Sequence, residues 1–256
     1  DEGKGKIAEL VAEMDPDVNF VLGFGTHNAG KGGKATHRET GKVSDLSLHL
    51  LPATLADPKV WNAVGSDGRA NLFTVKHEVE NMKGATGAEV LGEDYQLMLD
   101  LKISLVTPYN RAMDIVGKKD AMGSTVAGAT HSLGNAIMKQ APLLEDILDD
   151  PVQFVKQVKK QGVLFEDALA HDEEFKELGI TTAHALGIAL RDESKLKANK
   201  RLEVLANKLS PPEKNFFVHG DSASYLLRES SVIVKSGIFE IGDTQKETMK
   251  RVNEDY

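Results

Sequence analysis

The spacing of apolar residues along the chain predicts helices over most of its length. Near the start, apolar side chains recur three or four residues apart, which puts them on one face of a helix: Ile7, Leu10, Val11 and Met14. Similar spacing predicts further helices over these stretches: 18–27, 55–64, 72–82, 93–107, 151–162, 180–191 and 195–209. The chain is therefore predicted to be mainly α-helical.

Residues typical of helix starts, loops and strands add detail to the prediction of a mainly helical chain. Asp150 followed by Pro151 is typical of a helix start, with an acidic cap and proline in the first turn. The glycine-rich stretch 30–41 predicts a loop. Two short runs of aromatic and β-branched residues, 215–218 and 232–234, predict strands.

The composition is that of an ordinary globular protein and narrows the classes of partner. Of 256 residues, 41% are hydrophobic and 27% charged, which is enough apolar material for a full core. The net charge of −8 argues against nucleic acid and anionic membranes as partners. The chain has no cysteine and no run of about 18 apolar residues, so we expect no thiol chemistry and no membrane span. A start at Asp1 is consistent with a removed targeting segment.

Two histidines surrounded by small residues are the candidate site. His131 lies in Val-Ala-Gly-Ala-Thr-His-Ser-Leu-Gly-Asn-Ala at 126–136, and His27 lies in Val-Leu-Gly-Phe-Gly-Thr-His-Asn-Ala-Gly at 21–30. Small neighbours let a flat, bulky group approach the backbone beside an imidazole. The alternative interpretation is that both histidines are incidental core or surface residues.

These two segments resemble the distal and proximal histidine segments of class I haem peroxidases, the ascorbate peroxidase group. The family reads Leu-Arg-Leu-Ala-Trp-His-Ser-Ala-Gly where this chain has residues 22–30. Shorter similarities follow in the family's order at 93–108, 144–155 and 165–179. The resemblance implies a shortened, two-lobed helical domain over 1–179 and a C-terminal extension of unknown role over 180–256.

The same resemblance implies roles for the histidines and also puts them in doubt. It makes His27 the distal acid–base residue and His131 the proximal ligand of haem b, with no other metal. Gly23 replaces the arginine that stabilises charge as the peroxide bond breaks, and Thr26 replaces a tryptophan. The segment after His131 is short and lacks the aspartate that would make this imidazole basic. We therefore predict a non-catalytic protein that binds no cofactor.

The predicted function is that of a peroxidase-like pseudoenzyme, a structural subunit that contacts other proteins of a larger assembly. The predicted setting is a photosynthetic complex of the chloroplast, associated with the thylakoid, and the cytoplasm is the alternative location. Two other functions stay open: an active haem peroxidase that uses a donor such as ascorbate, and an unrelated helical ligand-binding protein. The apolar residues of 180–256 are expected to pack on the helical body or to form a docking surface.

Overall fold

The computed structural model describes residues 7, 10–23, 31–57, 59–87, 96–117 and 125–242. Its strands are β1 (Phe20–Gly23), β2 (Lys31–Thr36), β3 (Val43–Leu48), β4 (Trp61–Val64), β5 (Arg69–Ala70), β6 (Gln96–Asp100), β7 (Ser104–Leu105) and β8 (Glu240–Gly242). Its helices are α1 (Leu72–Thr86), α2 (Pro108–Val116), α3 (Ala129–Ile137), α4 (Leu144–Leu148), α5 (Pro151–His171), α6 (Glu173–Glu177), α7 (Ala183–Ala189), α8 (Glu193–Ala198), α9 (Lys200–Lys208), α10 (Pro211–Val218) and α11 (Ser222–Lys235).

The chain divides into two compact units. The first is made of Asp1–Ser104, Leu143–Glu145 and Val232–Tyr256, and the second of Leu105–Pro142 and Asp146–Ser231. The sequence predicts a different division, into a domain over 1–179 and an extension over 180–256. This predicted division stays a prediction.

A parallel sheet organises the first unit, with strand order β1-β4-β6-β8. In its register Trp61 of β4 lies opposite Phe20 of β1 on one side and opposite Gln96 of β6 on the other. Strands of parallel sheets are covered on both faces and therefore read as nearly continuous apolar runs. The strand β6 fits this rule, because Leu97, Met98 and Leu99 are all buried and successive side chains point to opposite faces.

An antiparallel hairpin of β2 and β3 belongs to the same unit and places Lys34 opposite Asp45. Leu46 and Leu48 alternate along β3 and are buried, which is the period-two pattern of a strand with one covered face. β5 and β7 form a separate two-stranded ladder.

Helices build the second unit around an aromatic cluster. The Tyr109 ring on α2 lies 4.6 Å from that of Phe216, and Phe165 on α5 lies 5.8 Å from Phe217. Edge-to-face and tilted contacts of this kind add to the free energy gained by burying the rings. Burial also raises the pKa of the Tyr109 hydroxyl.

The predicted haem-peroxidase-like helical fold is wrong, because a parallel sheet forms the first unit. The stretches 18–27, 55–64 and 93–107, predicted as helices, contain β1, β4 and β6. A short apolar run buried on both faces shows no alternation, so its periodicity does not distinguish a strand from a helix. The predicted loop at 30–41 likewise contains β2.

Some of the other local predictions are confirmed and some are wrong. The helices predicted at 72–82 and from Pro151 are confirmed, the second with Asp150 as its N-cap. The strands predicted at 215–218 and 232–234 are wrong, because these residues lie in α10 and α11. Prolines in the first turn begin α10, and burial of its phenylalanines outweighs their β-propensity. Four apolar side chains of the stretch 180–231 do pack into the helical unit: Leu202, Leu205, Phe216 and Phe217 are buried.

Glycine at position 187 is required by the packing of α7 against α10. A Cβ there would lie 2.6 Å from Val218 Cγ1 and 2.8 Å from the Phe217 carbonyl carbon. We expect Gly187→Ala to lower the free energy of unfolding by about 1–3 kcal/mol, although alanine is the better helix former. Gly134→Ala on α3 is the matched control, because nothing lies within 4 Å of its Cβ position. The control should gain about 0.5–1 kcal/mol in urea unfolding, and a shift of the same sign in both variants would contradict the packing argument.

Across the described ranges, no helix combines the length and the apolar composition that crossing a membrane requires.

Candidate functional site

A buried carboxylate holds His131, which lies in the first turn of α3. Its Nδ1 lies 2.9 Å from Oδ1 of Asp114 on α2, and Asp114 Oδ2 accepts a hydrogen bond from the Gly128 amide at 2.8 Å. The side chains of Asp114 and His131 are 5% and 27% exposed. The contact between Nδ1 and the carboxylate orients the imidazole ring and joins α2 to α3.

Asp114 is the partner that sequence reasoning missed. We expected no buried carboxylate for His131 because the segment after it is short. The carboxylate instead precedes His131 by 17 residues and lies on another helix. No local spacing pattern links two residues on separate helices, so only their packing brings them together.

His27, the predicted distal acid–base residue, lies outside the described residues. His27 follows Gly23, the last residue of β1, by four positions in the sequence.

The carboxyl edge of the parallel sheet gathers the ends of β1, β4 and β6 in the first unit. Ligands of open parallel sheets bind in the crevice outside this edge. After β4 the chain turns through Gly65-Ser66-Asp67-Gly68, closed by the Gly68 amide donating to the Gly65 carbonyl at 2.8 Å. Asp100 ends β6, and its Oδ1 accepts from the Lys102 amide at 2.8 Å. The edge thus presents a glycine turn and one buried carboxylate.

Arg69 rigidifies the turn at this edge. Its Nη1 donates to the carbonyl oxygens of Asp67 at 2.9 Å and Gly68 at 2.6 Å. Burial lowers the pKa of this guanidinium, while the charge of Asp67 acts in the opposite direction. At Gly68 a Cβ would lie 2.7 Å from Val64 Cγ1, so the turn is closely packed on the strand that it follows.

The second unit contains a cavity of about 600 Å³ beside the end of α2. It is lined by Val116, Gly117, Ala168, His171, Asp172, Glu173, Glu174 and Arg201. The carboxylates outnumber the cations on this lining. Burial alone disfavours the charge on Arg201, but hydrogen bonds to Asp172 and Glu174 raise the pKa of this guanidinium overall.

Within the part of the chain that the structure describes, no group of three histidine or acidic side chains lies close enough to hold a metal ion. The His131–Asp114 pair and the acidic cavity are therefore not assigned as metal centres.

The parallel sheet makes this chain an α/β protein. Proteins of this class bind ligands in the crevice outside the carboxyl edge of the sheet. A family model for adenylosuccinate synthetase matches residues 1–225. Because this match covers most of the chain, the chain belongs to the adenylosuccinate synthetase family.

Individual relatives agree with this assignment. The adenylosuccinate synthetase of Anaeromyxobacter sp. strain K is 29% identical over 180 residues, covering 66% of this chain and 38% of the relative. The Aquifex aeolicus enzyme is 28% identical over 200 residues, covering 69% and 43%. The chain therefore spans about two fifths of the length of these relatives.

A solved structure supports the fold alone. The fully ligated adenylosuccinate synthetase of Plasmodium falciparum aligns with a TM-score of 0.51 at 16% sequence identity, covering 83% of this chain and 44% of that one.

The family assignment corrects the predictions that rested on the peroxidase resemblance. The chain is not a class I haem peroxidase, active or degenerate, nor an unrelated helical ligand-binding protein. The expectation of a non-catalytic structural subunit is wrong, because its relatives are named as synthetases. The prediction that the chain binds no cofactor, with haem b as the alternative, is wrong for the same reason. The predicted role in photosynthesis is wrong as well. Membership of a larger assembly and the location in the cell stay predictions.

Proposed function

We propose that this chain acts in the synthesis of adenylosuccinate, with GTP as the energy donor and Mg²⁺ as the metal ion. The observation that carries the proposal is the family match over residues 1–225. The chain covers about two fifths of its relatives, so the activity of a whole synthetase is part of the proposal.

The carboxyl edge of the parallel sheet is the proposed nucleotide site. Crevices at such edges are where α/β folds bind nucleotides, and the edge carries the glycine turn after β4. Two sequence stretches add suitable chemistry. Residues 3–6 read Gly-Lys-Gly-Lys directly before the helical residue Ile7, and His27 follows the end of β1 by four residues. Both stretches lie outside the described residues, so their roles rest on the sequence alone.

Each stretch has a role that its residue types can perform. Glycine backbone and lysine ammonium groups ahead of a helix are suited to phosphate oxygens, because amides and positive charge converge there. An imidazole can accept a proton from the reacting group and return it, as a general acid–base residue does. We propose the first role for Gly3, Lys4, Gly5 and Lys6, and the second for His27.

The described residues contain no group of three histidine or acidic side chains that could hold a metal ion, and the Asp100 Oδ1 at the sheet edge already accepts the Lys102 amide. We therefore assign no metal ligand and derive no step through the ion.

Titration calorimetry with GTP and Mg²⁺, and an assay for adenylosuccinate with the family's substrates, test this proposal. We expect GTP to bind in preference to ATP. His27→Ala should lower the rate of adenylosuccinate formation about 10²–10⁴-fold, the usual contribution of a general acid–base residue, with little change in GTP affinity. His77→Ala is the matched control, because His77 lies exposed on α1 beside Asn81. Failure to bind GTP together with no adenylosuccinate formation would overturn the proposal.

A further inference from the structure

An exposed imidazole in the first unit is held against a buried carboxylate. His49 directly follows β3, and its Nδ1 lies 3.6 Å from Oε1 of Glu78 on α1. The side chain of His49 is 55% exposed, whereas that of Glu78 is 2% exposed. The same carboxylate accepts the backbone amides of His49, Leu50 and Leu51. A buried acid thus holds both the ring of this exposed side chain and the backbone that carries it.

The segment that begins at His49 lies at the carboxyl edge of the parallel sheet. Pro52, three residues further on, packs on the end of β1, because its Cγ lies 3.6 Å from the position that a Cβ on Gly23 would take. Gly23 is the last residue of β1. Three residues span at most about 11 Å of chain, so His49 lies within that distance of Pro52. This is the edge at which the nucleotide site is proposed.

The hairpin of β2 and β3 brings the same segment to a second point of that site. Lys31, the first residue of β2, lies opposite Leu48, the last residue of β3 and the residue before His49. Residues 24–30, which include the proposed acid–base histidine, connect Gly23 to Lys31 in the sequence. The segment that carries His49 therefore lies beside both ends of a stretch already proposed to act in the reaction.

We propose that the imidazole of His49 binds a phosphate oxygen of the nucleotide and that Glu78 is the positioning residue behind it. Because Nδ1 faces the carboxylate, Nε2 on the far side of the ring is the atom left to reach a ligand. An imidazole N–H donates hydrogen bonds to anionic oxygens. A ring that is already held in place loses less freedom when the ligand binds. This inference rests on the proposed function, since it needs a nucleotide at the sheet edge.

Titration calorimetry of the full chain with GTP, guanosine and inorganic tripolyphosphate, each with Mg²⁺, tests this contact. His49→Ala keeps the backbone amide that donates to Glu78 and changes an exposed side chain, so we expect the variant to fold, as the fluorescence of Trp61 in urea will show. The affinity for GTP and for tripolyphosphate should fall about tenfold, which corresponds to about 1.4 kcal/mol. The affinity for guanosine should not change. His77→Ala, exposed on α1 beside Glu78, is the matched control and should bind all three like the wild type.

Two further measurements separate a phosphate contact from a structural role. In the adenylosuccinate assay His49→Ala should raise the KM for GTP by the same factor and leave kcat unchanged, because the contact is made equally before and during the reaction. His49→Gln should recover part of the affinity, since its side-chain amide also donates a hydrogen bond.

Several results would contradict the phosphate contact. Wild-type affinity for GTP and tripolyphosphate in a folded His49→Ala variant would overturn it, and so would equal losses for GTP and guanosine. A lower kcat with an unchanged KM would assign the imidazole to the chemical step and overturn it as well. A wild-type chain that binds tripolyphosphate but not GTP, with the loss in His49→Ala, would mean that the proposed function fails while this contact stands. A chain that binds neither probe would overturn both.

Discussion

Replacing Arg201 with methionine is expected to lower the free energy of unfolding of the second unit by about 3–5 kcal/mol, the usual result of removing one partner from a buried ion pair. Its guanidinium lies 2.7 Å from Asp172 Oδ2 and 2.8 Å from Glu174 Oε2, and it donates to the Ile115 carbonyl at 2.6 Å. The side chain is 8% exposed. Methionine keeps much of the apolar part of the arginine side chain. It leaves Asp172, which is 11% exposed, and the Ile115 carbonyl near the end of α2 without their hydrogen-bond donor.

Urea unfolding followed by far-UV circular dichroism measures this loss. The matched control is Arg228→Met on α11, where the guanidinium is 62% exposed and pairs with Glu229 at 3.1 Å. An exposed pair is worth about 0–1 kcal/mol, so the control should change little. Equal losses in the two variants would mean that the Arg201 network does not stabilise the fold.

The network around Arg201 shows which features a sequence can predict and which it cannot. Asp172 is recognisable locally, since it caps α6 by accepting the Phe175 amide. Its pairing with Arg201 joins residues 29 positions apart and depends on how the helices pack. The same is true of Asp114 and His131, whose separation of 17 residues matches no local motif.

Elements were predictable where local chemistry was sufficient. Asp150 and Pro151 begin α5 as expected, because capping and proline geometry act within one turn. β4 and β6 were predicted as helices, because an apolar run buried on both faces has no period of its own. A short strand of a parallel sheet can be identified only from the strands that it pairs with, and the sequence alone does not reveal this pairing.

The family was misassigned for a related reason. A histidine among glycine and alanine suits any bulky ligand that approaches the backbone, so the segment at 21–30 matched a haem family by residue type. The Gly-Lys-Gly-Lys run at 3–6, for which we propose contacts with phosphate oxygens, gave no such family match. That run lacks the full spacing of the common phosphate-loop motif, so residue patterns alone did not identify it.

Replacing Glu78 with alanine is expected to destabilise the first unit by about 3–5 kcal/mol, because buried backbone donors lose a charged acceptor. Glu78 lies on α1 and is 2% exposed. Its Oε1 accepts the His49 amide at 2.5 Å, and its Oε2 accepts the amides of Leu50 at 3.2 Å and Leu51 at 3.0 Å. Three successive amides that point at one carboxylate form an anion-binding nest, which the protein fills with its own side chain.

Trp61 in β4 is the only tryptophan of the sequence, so its fluorescence reports unfolding of the first unit. Glu78→Gln should lose less than Glu78→Ala, about 1–3 kcal/mol, because one oxygen remains and one is replaced by a donor. Glu80→Ala is the control on the same helix, where the side chain is 59% exposed and pairs with Lys76 at 3.8 Å. Its loss should stay within about 0.5 kcal/mol, as for other pairs four residues apart. Glutamine and alanine variants of equal stability would show that packing of the side chain, and not its acceptance of the three amides, is what stabilises this turn.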